Sequence, residues 1–454
     1  MRAVIMHLLS SERARPRVAL ALAIGALAIT APVRAQGATG SIAFVDVTVI
    51  PMTATGPRAL ERQTVVVRDG KIAELGATAR VRVPDGARRV DARGKFLIPG
   101  LAEMHGHVPQ QAGEMAERTL FLYVSQGVTT VRGMLGAPYH LQMREAVRRG
   151  ELLGPTLVLA GPAMGGNAVG TPATAERLVR QYKQQGFDLL KVHEGLSEDV
   201  YDAIVRTARE VGMPWGGHVS DLVGLKHALE AKQSTVDHLD NFVESLRSTT
   251  FGNGSEEQRL AAIIQATRDA GTAVVPTMAL WDVFLTPEDS AAYAARPELR
   301  YMPPQVVTQW FNAAANFRAN ASADGREIPA LRRRLLGALH KAGVPVLLGT
   351  DAPQIFSVPG FSIHREMQAM VQSGLTPYDI LVSGSRNVAD YFATHFGMAR
   401  DFGTIEAGKR ADLILLDANP LEDIGNVRRS AGVMVRGQWL DRAEIDRRLS
   451  ALTS

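Results

Sequence analysis

The chain has 454 residues, 46% hydrophobic and 21% charged, the composition of a globular protein with ample core rather than a disordered or fibrous one. It contains no cysteine, which excludes disulfides and thiolate metal ligands. Its formal net charge of +4 is accounted for within residues 1–35, where five arginines face Glu12 alone; the remainder is neutral overall, which argues against nucleic-acid or membrane-surface binding.

In chain order, Arg13, Arg15 and Arg17 precede the apolar run "VALALAIGALAIT", and Val33-Arg34-Ala35 offers a small-x-small end. This is the pattern of a secretory signal peptide over residues 1–35, cleaved after Ala35, and it predicts a periplasmic or secreted protein. The apolar run, 13 residues, is short of the roughly 20 that a membrane span requires. Residues 36–98 then read as short strands separated by turns ("SIAFVDVTVI", "QTVVVRDGKIAELG", "ARRVDARGK"), and residues 401–454 begin alike ("ADLILLDANP", "AGVMVRGQWL"). The two segments flank the rest of the chain and are expected to join in one small β-sandwich domain. Between them, over residues 99–400, eight apolar runs recur: "FLIPGLAEMH", "GVTTVRGM", "TLVLAGPAM", "DLLKVHE", "PWGGHVS", "STVDHLD", "AVVPTMAL" and "VPVLLGTDA". Amphipathic segments such as "TAERLVRQYKQQG" and "EEQRLAAIIQATRDAG" separate them. The α/β alternation, with strands that are nearly continuous in apolar residues, predicts a (β/α)8 TIM-type barrel. The seventh and eighth runs are about 70 residues apart, a connection long enough for a lid or pocket wall on the catalytic face.

Of eleven histidines, His7 falls in the export segment. His140, His227, His340, His364 and His395 fall in helical or loop contexts, where surface or capping roles suffice. The other five sit at or near the C-terminal ends of expected strands: His105 and His107 on the first, His193 on the fourth, His218 on the fifth and His238 on the sixth. In an α/β barrel those ends converge on one mouth. His105 and His107, two residues apart, face the same side of an extended strand. Imidazoles buried together need partners, and a divalent metal is the simplest. Asp351 ends the eighth run, where an uncompensated carboxylate would be costly. Lys191 lies inside the fourth run; a buried lysine must lose its charge, find a counterion or be chemically changed. Its neutral amine can take up CO2 as a carbamate, an anion long enough to bridge two metals.

Together, "PGLAEMHGH", Lys191, "GGHVS", "DHLD" and "GTDAP" resemble the metal-dependent amidohydrolase superfamily, and the tail "GTIEAGKRADLILLDANPLEDI" is similar to its returning strands. The likeness spans residues 41–443 and is nearest to the branch of imidazolonepropionase and the Xaa-Pro and Xaa-Arg dipeptidases. It implies two divalent ions, zinc being the expected metal. His105, His107 and Asp351 would ligate one, His218 and His238 the other, and a carboxylated Lys191 would bridge them. Three positions depart from the pattern: Glu103 stands where Asp is usual, Gly133 where an acid is common, and Ser220 where many dipeptidase-like members have an aromatic residue. The last change removes a feature of their carboxylate-recognising pocket.

The expected reaction is hydrolysis of an amide C–N bond in a peptide-like or N-acyl compound by a metal-activated water. Asp351 would accept the water's proton and deliver it to the leaving nitrogen. His218 or His238 would stand near the carbonyl, and His193 would orient substrate or hydrogen-bond the tetrahedral intermediate. A mononuclear deaminase or cyclic-amide hydrolase with unmodified Lys191, or a lactone or ester hydrolase, is the alternative enzyme. The non-enzymatic alternative is a metal- or solute-binding barrel. The expected partner is a small-molecule or short peptide-like substrate, with homo-oligomerisation left open.

Overall fold

The computed structural model describes residues 40–285, 290–319 and 327–453. The segment read as an export signal, residues 1–35, lies outside them, as do residues 286–289 of the long connection.

Five strands come first: β1 (Ile42–Val49), β2 (Leu60–Arg68), β3 (Lys71–Ala77), β4 (Arg88–Asp91) and β5 (Phe96–Pro99). β2 and β3 pair antiparallel through Asp69-Gly70, whose φ values of 50° and 74° are those a two-residue type I′ hairpin requires. β1 is the hub, antiparallel to β2 and parallel to β4 and β5.

The parallel strands follow. β6 (Leu101–Gly106), β7 (Val128–Gly133) and β8 (Thr156–Leu159) form one ladder; β9 (Leu190–Val192), β10 (Trp215–Gly217), β11 (Thr235–Asp237) and β12 (Ala273–Val275) form another. Every residue of these strands except Thr156 is buried, as strands covered on both faces must be. Backbone bonds continue from one ladder to the other, Gly161 N–H donating to Leu189 O (3.0 Å) and Met164 N–H to Lys191 O (2.9 Å). The eighth apolar run lies between β12 and β6: Leu347 N–H donates to Val274 O, and Met104 N–H to Leu348 O, both at 2.9 Å. The architecture is of TIM-barrel type. Helices cover its outside, among them Pro172–Gln185, Glu198–Val211 and Glu256–Ala270, each ending on a left-handed glycine (Gly186, Gly212, Gly271). No helix among the described residues is long and apolar enough to cross a membrane.

β13 (Leu413–Leu416), β14 (Ser430–Val435) and β15 (Gln438–Asp441) then return to the first sheet, β13 pairing antiparallel with β5. The flanking segments therefore meet in one eight-stranded sheet, ordered β15-β14-β13-β5-β1-β2-β3 with β4 beside β1, rather than in two stacked sheets. Flat, the four strand intervals from β1 to β15 would span about 19 Å. The rings of Phe44 on β1 and Trp439 on β15 are instead 5.0 Å apart, so the sheet is rolled over its own core. Its two hairpin tips touch: a Cβ on Gly437 would stand 2.6 Å from Gly70 Cα, which only glycine avoids.

Candidate active site

Five imidazoles converge at the C-terminal ends of the parallel strands. His105 in β6 is wholly buried, and its Nδ1 lies 2.7 Å from Asp237 Oδ2 at the end of β11. Asp237 in turn accepts Arg132 Nη2 on both oxygens, at 3.1 and 2.8 Å. Arg132 comes from β7 and is fully buried; its Nε donates to Met104 O (2.5 Å) and its Nη1 to the hydroxyls of Thr235 and Tyr391. A guanidinium is tolerable there because a carboxylate neutralises it and its donors are used. The carboxylate also fixes the Nδ1–H tautomer of His105, leaving Nε2 as acceptor for Lys191 Nζ at 2.8 Å. The arrangement recurs twice: His218 Nδ1 meets Asp240 Oδ2 at 2.7 Å, and His238 Nδ1 meets Thr277 Oγ1 at 2.8 Å. Ring centroids lie 4.4 Å apart for His105 and His238, 4.5 Å for His218 and His238, and 4.3 Å for His193 and His218.

Asp351 faces this group. Its Oδ1 is 2.6 Å from His107 Nε2 and 3.7 Å from His105 Nε2, and its Oδ2 is 3.9 Å from His238 Nε2. The backbone that places these groups is strained, with φ of 62° at Asp351, 61° at His238 and 44° at Thr277. For a β-branched residue such as Thr277 that is a genuine outlier, of the kind that persists where surrounding contacts impose it. Asp351 N–H donates to His105 O (2.7 Å) and His107 N–H to Ala352 O (2.8 Å), so the eighth run and β6 hold each other in place. Beneath them Glu103 accepts the backbone N–H of His105 (3.0 Å) and of Thr350 (2.7 Å) and the Thr350 hydroxyl (2.6 Å). Burial pushes its carboxyl up to about 8.

Burial also governs the other ionisations. It holds His105 and His238 well below the ordinary imidazole value, with Lys191 adding for the first and His105 for the second. It takes His193 down to about 2, with His218 adding, and it lowers Lys191 against the opposing pull of Asp351 and Asp237. Neutral imidazoles are the form that binds a cation. His238 Nε2 is buried without a hydrogen-bond partner. One ligand atom each from His105, His107 and Asp351 lies within 4.8 Å of the others, and the same holds for Glu194, His218 and Asp240. An orphaned imidazole nitrogen among imidazole and carboxylate donors fits a divalent cation.

Over this group opens a cavity of about 320 Å³, with His107, Lys191, His193, His218, His238 and Asp351 in its lining. One wall is apolar: Leu280, Trp281 and Phe284 from the helix Met278–Leu285, which follows β12. The long connection thus supplies a pocket wall through its first helix.

The structure brings together all seven residues singled out in the sequence: His105, His107, Lys191, His193, His218, His238 and Asp351. Arg132, Asp237, Asp240 and Thr277, which hold the imidazoles, escape sequence reasoning; the one available signal is the density of ionisable residues in "VDHLD". One expectation needs correction: His364 is neither a surface nor a capping residue but a buried one, its Nε2 3.1 Å from Gln126 Oε1, because its helix packs that face inward. His140 is buried too, yet it has the capping role, its Nδ1 accepting the Ala137 N–H at 3.3 Å while its Nε2 donates to Pro109 O at 2.9 Å.

Residues 96–440 match the amidohydrolase family. The chain belongs to that family. An imidazolonepropionase of Acidiphilium cryptum is 24% identical over 399 residues, covering 80% of this chain and 89% of that protein. The solved bottromycin amidohydrolase is 26% identical, with a TM-score of 0.70 over 91% of this chain and 90% of that one. A Xaa-Pro dipeptidase solved with methionine in its active site, 20% identical, shares the fold with a TM-score of 0.65, covering 88% of this chain and 100% of that one. This amidohydrolase is therefore a hydrolase acting on C–N bonds, and the binding-protein alternative falls away.

Proposed function

We propose that this amidohydrolase cleaves an amide C–N bond in an N-acyl or short peptide-like compound, with two divalent ions, zinc first among them, and a carboxylated Lys191 between them. The observation that carries this reading is the set of three imidazoles held through Nδ1, by Asp237, Asp240 and Thr277, around Asp351. His105, His107 and Asp351 would hold one ion; Lys191, His218 and His238 would hold the other. Such ions lower the pKa of a shared water toward neutrality and polarise the scissile carbonyl.

The chain's own groups do the rest. Asp351 accepts the proton of the attacking water and delivers it to the leaving nitrogen. His193 Nδ1 accepts the Glu194 backbone N–H at 2.8 Å, so its proton resides on Nε2, a donor for the carbonyl oxygen as that oxygen becomes anionic. His238 stands beside the same centre, between His105 and His218. Burial of Lys191 favours the neutral amine from which a carbamate forms. The bonds that set the eighth run between β12 and β6 support a closed barrel of eight strands, which explains why residues from five of them share one mouth. Residues 1–35 support export to the periplasm or beyond, with a mature chain that begins at Gln36.

A second reading, a mononuclear deaminase or cyclic-amide hydrolase with an unmodified Lys191, is favoured by the pull of Asp351 and Asp237, which oppose the loss of the lysine's charge. Metal analysis of the purified protein beside turnover of N-acyl p-nitroanilides separates the two. Two metal equivalents with p-nitroaniline release support the amide reading. One equivalent, with activity confined to deamination or ring opening, supports the second.

A further inference from the structure

Two parts of the cavity are fastened to one support. The first is the apolar wall: Glu366 accepts the Met278 and Ala279 N–H groups at 2.9 and 2.8 Å, capping the wall helix, and the Phe317 ring lies 5.0 Å from that of Phe284. The second is the turn that follows Asp351. Gln354 N–H donates to Ser357 O at 3.3 Å and Ser357 N–H to Gln354 O at 2.8 Å, which closes a tight loop over the buried Ile355 and Phe356. The Phe356 ring lies 4.9 Å from those of Tyr293 and Phe311, and its carbonyl accepts Arg296 Nη1 at 2.7 Å. Phe356 takes a φ of 55°, a strained value that these contacts impose. Phe311 and Phe317 belong to the same helix, Pro304–Ala319 of the long connection, and stand about 9 Å apart along its axis. The long connection thus holds the wall and the turn in a fixed relation to each other.

That turn sets Gln354 in the cavity lining, close after Asp351 in the chain. Among the described residues no group bonds its carboxamide, so both its C=O and its NH2 remain for a ligand. A carboxamide matches a peptide-like amide, donor to acceptor and acceptor to donor, and being neutral it does so independently of the charge balance at the metal centre. Leu280, Trp281 and Phe284 supply a pre-placed apolar surface that suits an aromatic or large aliphatic arm. At about 320 Å³ the cavity is at the small end of ligand pockets, with room for one residue-sized amide rather than a longer peptide.

Resting on the amide-hydrolysis reading, we propose that the site takes N-acylated, residue-sized amides whose aromatic or large apolar arm lies on Leu280, Trp281 and Phe284, and that Gln354 is the residue that bonds the N-acyl group beside the scissile amide. The test is calorimetric titration of the metal-loaded enzyme with N-acetyl-L-phenylalaninamide, with N-acetyl-L-alaninamide, which lacks the arm, and with 3-phenylpropanamide, which lacks the acetamido group. The first is expected to bind at least about tenfold more tightly than the second and at least about threefold more tightly than the third. Gln354→Leu should weaken the first compound by about threefold or more and leave 3-phenylpropanamide within about twofold. Phe284→Ala should cut the ratio between the first and second compounds below about threefold; Phe284→Leu, which should cut it by about half or more, serves if the alanine variant does not fold. Equal binding of the first and second compounds, a folded Gln354→Leu variant that binds the first as wild type does, a folded Phe284 variant with an unchanged ratio, or binding of none of the three would overturn the proposal. Hydrolysis is followed in parallel on N-acetyl-L-phenylalanine p-nitroanilide. The expected binding order without any turnover counts against amide hydrolysis, whereas turnover without that order counts against this inference alone.

Discussion

Asp237→Asn tests whether the buried Arg132–Asp237–His105 chain sets the metal-binding geometry. Asparagine has the size of aspartate, but one of its oxygens becomes an NH2 group. Asp237 receives three short contacts: His105 Nδ1 at 2.7 Å and Arg132 Nη2 at 3.1 and 2.8 Å. An amide can satisfy the imidazole or the guanidinium with its single oxygen, and its NH2 group then opposes a donor. Both Arg132 and Asp237 are fully buried, so the variant leaves an uncompensated cation in the core. Breaking a buried pair in this way costs about 3–5 kcal/mol, and Arg132 keeps its bonds to Met104, Thr235 and Tyr391, which places the expected loss near the lower end, about 3 kcal/mol. Loss of the imidazole's orienting partner should lower metal affinity by about 10–100-fold. Urea unfolding of the metal-free protein reads the first effect and competition with a chelating dye the second. A variant within about 1 kcal/mol of wild type in stability and about threefold in metal affinity would refute the argument that this chain positions His105.

Two further outcomes are expected. Lys191→Ala should lose at least one metal equivalent and most activity, and added bicarbonate or a short carboxylic acid should restore part of it by supplying the bridging anion; full metal content and rate would reduce Lys191 to a packing residue. Glu366, raised by burial from 4.5 to about 7, keeps in the folded state a proton that the unfolded chain releases. Its stabilising contribution is thus fully present below pH 4.5 and is lost as pH rises through 7. Glu366→Gln lacks this dependence, so wild type should exceed the variant by roughly 2–3 kcal/mol more at pH 5 than at pH 8 in urea unfolding; a gap that does not change with pH would contradict the assignment.

How much of this is legible in the sequence follows from which interactions are local. The barrel strands are legible because parallel strands buried on both faces require continuous apolar runs, such as "TTVRG" and "AVV". The ligand candidates are legible because imidazoles buried at successive strand ends need a shared partner, and packing alone does not supply one. The partners that aim them are not. Asp237 and Asp240 flank His238 in sequence, yet Asp237 reaches across to His105 and Asp240 to His218, while His238 itself takes Thr277. Those pairings depend on how strands are arranged around the mouth, which periodicity does not encode. Arg132 reads as a charge on a strand until the strand is seen to be buried, with Asp237 beside it. The rolled single sheet is hidden for a similar reason: alternation marks which residues face a core, but one sheet folded over itself and two stacked sheets share that alternation.

The central claim is that Asp351 moves the proton for a metal-activated water, and the most direct measurement is metal content beside kcat for Asp351→Asn. Asparagine keeps the size and one oxygen but cannot take a proton at neutral pH. With His105, His107, Lys191, His218 and His238 in place, the variant should retain most of its metal while kcat falls by about 10²–10⁴-fold, and the acidic limb of the pH–rate profile should vanish with it. A variant with full metal and a kcat within about threefold of wild type would contradict the account and move the role of base to a histidine, His193 or His238.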